Sequence, residues 1–120
     1  MALKKLVPTL WTNQLKETVD FYTSKLGFKC ESLDLEYGWA NLSRDSVNIM
    51  LALPTDHVSF EKANFTGSIY LFIEDVQSEW QRLKDTVEIA YPLEKFDYGM
   101  WEFAVFDNNG YMIQFGQEID

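Results

Sequence analysis

The sequence predicts an α+β fold: two β-α-β-β-β modules forming a curved mixed sheet, with a concave cavity inside and the helices outside. Three observations carry this. The pairs Tyr37-Gly38 and Tyr98-Gly99 stand 61 residues apart, and each precedes a tryptophan, a strand-like run, an aspartate in a turn and a second strand-like run. Each half also opens with a strand-like run followed by a helical pattern. Neither half can bury a helix and a sheet alone at about 60 residues. The expectation is one domain over 1–120, with module one at about 1–53, a linker at about 54–66 and module two at about 67–120.

Leu3 to Thr12 has strand character, with Pro8 near its start. Asn13 is the expected cap of a helix in which Leu15, Val19, Tyr22 and Leu26 recur at helical spacing, and Gly27 ends it. Phe28 to Leu35, Trp39 to Ser43 and Val47 to Leu53 read as three strands joined by turns at Tyr37-Gly38 and Arg44-Asp45. Pro54 to Thr66 is polar and reads as a connector.

The order then repeats. Ser68 to Glu74 alternates, with Ile69, Leu71 and Ile73 on one face and Tyr70 and Phe72 on the other. Asp75 caps a second helix carrying Val76, Trp80, Leu83 and Val87. Glu88 to Glu94, with Pro92, is a weaker strand. Met100 to Phe106 and Tyr111 to Gly116 flank the turn Asp107-Asn108-Asn109-Gly110.

Composition excludes several classes of function. The 120 residues are 47% hydrophobic and 16% aromatic, enough to form a core without covalent staples. One cysteine (Cys30) excludes an internal disulfide framework, and one histidine (His57) excludes a site needing two imidazoles from one subunit. The longest nearly apolar run, Val47 to Leu53, is too short to span a membrane. The opening residues lack a continuous apolar core, so no secretory signal is expected and the expected location is cytoplasmic.

The net charge of −9 is uneven. Residues 1–60 carry six Lys/Arg against seven Asp/Glu, and residues 61–120 carry four against twelve. Phosphate backbones are bound by clustered Lys and Arg, so nucleic acid is not an expected partner. The acidic excess is either a solvated surface or a preference for a cationic ligand.

Val7-Pro8-Thr9-Leu10, followed by the run Val19-Asp20-Phe21-Tyr22-Thr23-Ser24-Lys25-Leu26-Gly27-Phe28, resembles the opening of the glyoxalase / bleomycin-resistance / dioxygenase family, also called vicinal oxygen chelate proteins. The far end is similar too: Tyr98-Gly99, Glu102-Phe103-Ala104-Val105, Asp107-Asn108-Asn109-Gly110 and Ile113-Gln114-Phe115. Asn108 departs from the family's more usual Asp-Pro-x-Gly turn. In metalloenzymes of this family the resemblance implies ligands at Val7, Ser68 and Gln114. Valine has no donor atom, serine is a poor neutral ligand and glutamine is weak alone. The expectation is therefore no metal or other cofactor, and the chain resembles the drug-binding branch typified by bleomycin-resistance proteins. That branch implies a non-enzymatic homodimer holding a small molecule in crevices at the subunit interface.

A receptor for a planar cationic ligand needs aromatic faces and nearby carboxylates. The candidate ligand-binding residues are Trp11, Trp39, Asn48, Tyr70, Phe72, Tyr98, Trp101, Glu102 and Gln114. Trp11 shares a face with Val7 and Thr9 by alternation, and either lines a ligand site or fills the cup. Trp39 and Trp101, read as equivalent places in the two halves, suit a sandwich around a planar group, although duplicated packing gives the same pattern. Trp101 stands where relatives often carry arginine, which argues against small anionic substrates. Glu102 interrupts an apolar strand and faces either cavity or solvent. Asn48 and Gln114 bond either a ligand or the backbone at a cavity edge. The expected function is thus a bleomycin-resistance-like protein sequestering a planar, cationic or neutral ligand in an aromatic crevice at a dimer interface. The alternative is a glyoxalase- or dioxygenase-type lyase or oxygenase with unorthodox metal ligands, or a metal-free catalyst using Glu102 with Tyr98.

Overall fold

The strands and helices follow the expected order twice: β1 (Thr9–Trp11), α1 (Leu15–Ser24), β2 (Lys29–Asp34), β3 (Trp39–Arg44) and β4 (Val47–Ala52), then β5 (Ile69–Phe72), α2 (Val76–Leu83), β6 (Glu88–Lys95), β7 (Met100–Phe106) and β8 (Met112–Glu118). This computed structural model describes residues 1–57 and 59–120. Val58, within the expected linker, lies outside the described residues. Contacts divide the chain into two compact units, Met1–Ala63 and Asn64–Asp120. The eight strands form two four-stranded mixed sheets, one to each unit, ordered β1-β4-β3-β2 and β5-β8-β7-β6. In both, the first strand runs parallel to the last strand of its own unit, and the other pairings are antiparallel.

In the first unit, α1 packs on β2, β3 and β4. The sheet face toward it carries Leu10, Ala40, Leu42, Ile49 and Leu51, all buried against Leu15, Tyr22 and Leu26 of the helix and its end. Each such Leu or Ile side chain contributes roughly 1.5–3 kcal/mol by leaving water. Alternation places Trp11, Trp39, Asn41, Asn48 and Met50 on the opposite face. The start of α1 differs from expectation. Asn13 does not cap it; its side-chain amide donates to the Phe60 carbonyl at 3.0 Å. Thr12 accepts from the Gln14 N–H at 3.0 Å instead, and its hydroxyl pairs with that of Thr18 at 2.9 Å. Strand β1 is also shorter than the expected Leu3 to Thr12, because its ladder to β4 begins only at Thr9↔Met50.

In the second unit, α2 packs on β7 and β8. Phe103, Val105, Ile113 and Phe115 are buried on that side, and Trp80 of the helix meets the Phe103 ring edge-on at 5.2 Å. Asp75 caps α2 as expected, accepting from the Ser78 N–H at 3.1 Å. Pro92 is accommodated because β6 is an edge strand whose register slips between Ile89 and Glu94.

The duplication is visible in the turns. Gly38 and Gly99 both adopt left-handed backbone, with φ of 77° and 89°. Each offers its carbonyl to the residue just beyond its unit's last strand: Leu53 N–H to Gly38 at 2.8 Å, and Ile119 N–H to Gly99 at 2.9 Å.

Candidate functional site

The face of the second sheet turned away from α2 carries an unusual polar cluster. Register places Tyr70 beside Gln114, Gln114 beside Ala104, Glu102 beside Gly116, and Tyr91 beside Ala104, so these side chains share that face. Glu102 is at its centre and is only 1% exposed. A buried carboxylate is tolerated only when its oxygens receive donors. Here the Tyr70 hydroxyl donates to Oε1 at 2.9 Å and the Tyr91 hydroxyl donates to Oε2. The Gln114 amide donates to the Tyr91 oxygen at 2.7 Å and reaches Oε2 at 3.5 Å, and the Ser68 hydroxyl donates to the Gln114 carbonyl oxygen. A directed chain thus runs from Ser68 through Gln114 and Tyr91 to Glu102, with Tyr70 arriving from the other side.

The phenols respond to this setting. Burial, and then hydrogen bonding to Glu102, pushes Tyr91 up to about 12 and raises Tyr70 well above the usual tyrosine range. Tyr98 is raised for the same two reasons in the same order. Its ring nevertheless remains 65% exposed and stacks on Phe96 with centroids 5.3 Å apart. Phe72, 71% exposed, lies 5.0 Å from the Tyr70 ring. Aromatic surface open to solvent therefore flanks a fully ordered buried acid.

Of the residues singled out from the sequence, Tyr70, Phe72, Tyr98, Glu102 and Gln114 belong to this cluster or its rim. Trp11, Trp39 and Asn48 share the corresponding face of the first sheet. There Asn48 accepts from Lys5 Nζ at 3.5 Å and donates to the Leu42 carbonyl at 3.3 Å. Trp101 is placed otherwise. Counted from the Tyr-Gly pairs, Trp39 corresponds to Met100 and Trp101 to Ala40, and a one-residue offset reverses the face. Trp101 accordingly shares the α2 side of its sheet with Phe103, and Lys95 Nζ lies over its ring at 4.9 Å. The two tryptophans are thus not equivalent walls.

Two members of the cluster escape a reading of the sequence. Tyr91 follows a register slip in β6, so alternation does not assign its face. Ser68 draws attention only as a metal position. Gly116 matters by what it lacks: a Cβ there would collide with the Tyr70 hydroxyl.

The donor set does not suit a divalent ion. Val7 offers no donor, and the oxygens of Ser68 and Gln114 are hydrogen-bonded to each other. Among the described residues, no three His, Cys, Asp or Glu side chains stand together as metal ligands. Nor, among the described residues, is any helix long and apolar enough to cross a membrane.

Residues 5–115 match the model of the Glyoxalase/Bleomycin resistance protein/Dioxygenase superfamily, and the chain belongs to that superfamily. Solved structures with the same fold include TioX from Micromonospora sp. ML1 (19% identity, TM-score 0.80, covering 97% of this chain and 99% of that one). A bleomycin resistance determinant encoded on the transposon Tn5 is similar at 20% identity and TM-score 0.76, covering 97% and 98%. Lactoylglutathione lyase from Agrobacterium tumefaciens matches at 14% identity and TM-score 0.74, covering 95% and 92%. At these identities the likeness is one of fold. No curated protein matches the chain in sequence.

Proposed function

We propose that this chain is a binding protein of the bleomycin-resistance kind. As a cytoplasmic homodimer without a cofactor, it sequesters a planar, cationic or neutral small molecule in an aromatic crevice at the subunit interface. Its two modules act as one ligand-binding domain. The observation that carries this reading is Glu102: a carboxylate kept ordered out of water by tyrosine hydroxyls, with the open rings of Phe72 and Tyr98 beside it. Such a face matches a flat, positively charged partner in shape and charge. Trp11, Trp39 and Asn48 lie on the face of the first module's own sheet turned away from α1 and count as further ligand-binding residues in this reading. Membership of the superfamily and the fold shared with a bleomycin resistance determinant agree with this reading.

Tryptophan emission titrated with metal-free bleomycin tests it. A saturable change is expected, reduced in Trp39→Phe, from a protein that sediments as a dimer. A flat titration together with a monomeric sedimentation profile overturns the reading.

A further inference from the structure

The Tyr70 and Tyr91 hydroxyls both donate to Glu102, and this decides what the cluster offers a ligand. A phenol is at once one donor and an acceptor. With the Tyr70 proton held on Glu102 Oε1, its hydroxyl presents only oxygen lone pairs to an incoming group. Tyr91 already accepts from Gln114. A ligand group meeting the Tyr70 and Tyr91 oxygens must therefore bring its own N–H or O–H donors.

Charge points the same way. Glu94 pairs in register with Glu102, adding a second acid near Tyr98. Lys95, the neighbouring cation on β6, reaches over Trp101 on the opposite face. The Phe96–Tyr98 stack and the tilted Tyr70–Phe72 pair supply ring faces that attract a cation. In the first unit, Asn41 occupies the place that Glu102 holds relative to the Tyr-Gly turn, so that position carries no carboxylate there.

We propose that the Glu102 cluster of the second unit is the recognition site for an N–H-bearing ammonium group of the ligand. The lone pairs of the Tyr70 hydroxyl receive its N–H group, the flanking ring faces attract it, and Glu102 is the buried counter-charge. This rests on the ligand-binding reading above and narrows it: the group recognised is a primary or secondary amine in its protonated form, not a quaternary ammonium and not an anion.

Calorimetric titration with benzylammonium, benzyltrimethylammonium and benzyl alcohol tests the assignment. Benzylammonium is expected to bind at least about tenfold more tightly than either analogue, since only it combines charge with N–H donors. Glu102→Gln and Tyr70→Phe should each abolish that preference. Tyr70→Phe removes one oxygen and keeps the ring, so its result does not depend on refolding a core, and Tyr37→Phe at the Tyr-Gly turn of the first unit should change nothing. Equal binding of benzylammonium and benzyltrimethylammonium overturns the proposal, as does a preference that survives both variants. Metal-free bleomycin is titrated in parallel. If it binds wild type while benzylammonium does not, the ammonium site falls and the ligand-binding reading stands. If neither binds, both fall.

Discussion

Gly116 lies beside Glu102 on β8, and its missing side chain lets the Tyr70 hydroxyl settle over the strand and reach the carboxylate. Gly116→Ala places a methyl group where that hydroxyl sits. The expected result is a displaced Tyr70, a Tyr70 titration moved toward the ordinary tyrosine range, and a loss of about 1–3 kcal/mol from overpacking, read by urea unfolding. The tyrosines also fix a pH dependence. An unfolded tyrosine loses its proton near ~10, whereas Tyr91 holds its proton to about 12 in the folded protein. Between those values the unfolded chain releases a proton that the native state retains. Stability is therefore unaffected by this group below about pH 10 and falls as pH rises toward 12. Urea midpoints that stay level across this alkaline window would contradict the cluster. Glu102 itself was legible in the sequence as a charge in an apolar strand. Its partner Tyr91 was not, because the residue follows an irregular stretch whose parity only the three-dimensional pairing resolves.

At the level of the element, the two helices occupy matching places and start differently. Helix α2 has its cap in Asp75, whose carboxylate accepts from the Ser78 N–H and from the Ser78 hydroxyl at 2.8 Å. Those bonds hold the Asp75 carboxyl below its usual range. Asp75→Ala should lower the melting temperature by a few degrees at neutral pH. The difference from wild type should vanish as pH falls through the folded-state titration of Asp75, because the cap is then protonated in both states. Melting curves at neutral and acidic pH decide it. Helix α1 has no comparable side-chain cap on Gln14, and Thr12 with Thr18 ties its first turn instead. Asn13 looks like a cap in sequence because cap propensity is local, while its tertiary partner, the Phe60 carbonyl, is 47 residues away. Trp101 carries a similar lesson. Its place after a Tyr-Gly pair invites equation with Trp39, yet the extra residue between Gly99 and Trp101 sends it to the other side of the sheet.

Across the whole molecule, duplication was the most legible feature, because turn glycines, helical periodicity and strand alternation agree twice over. It yields the strand and helix order of both units, while the superfamily was legible in the particular residues of the first helix and the last hairpin. The distribution of the ladders into two sheets was not legible, since it depends on each first strand pairing with the last strand of its own unit. The uneven charge acquires a local meaning under the proposed function: the acidic half is the half whose sheet face holds Glu102, while the first unit offers Trp and Asn side chains. Under the proposed function a cationic aromatic ligand is held on that second face. Mapping amide chemical-shift changes while titrating labelled protein with metal-free bleomycin tests this. Saturable changes centred on Tyr70, Phe72, Tyr98, Glu102 and Gln114, and weakened in Glu102→Gln, are the predicted result. Changes that leave β5, β7 and β8 untouched, or no changes at all, would contradict it.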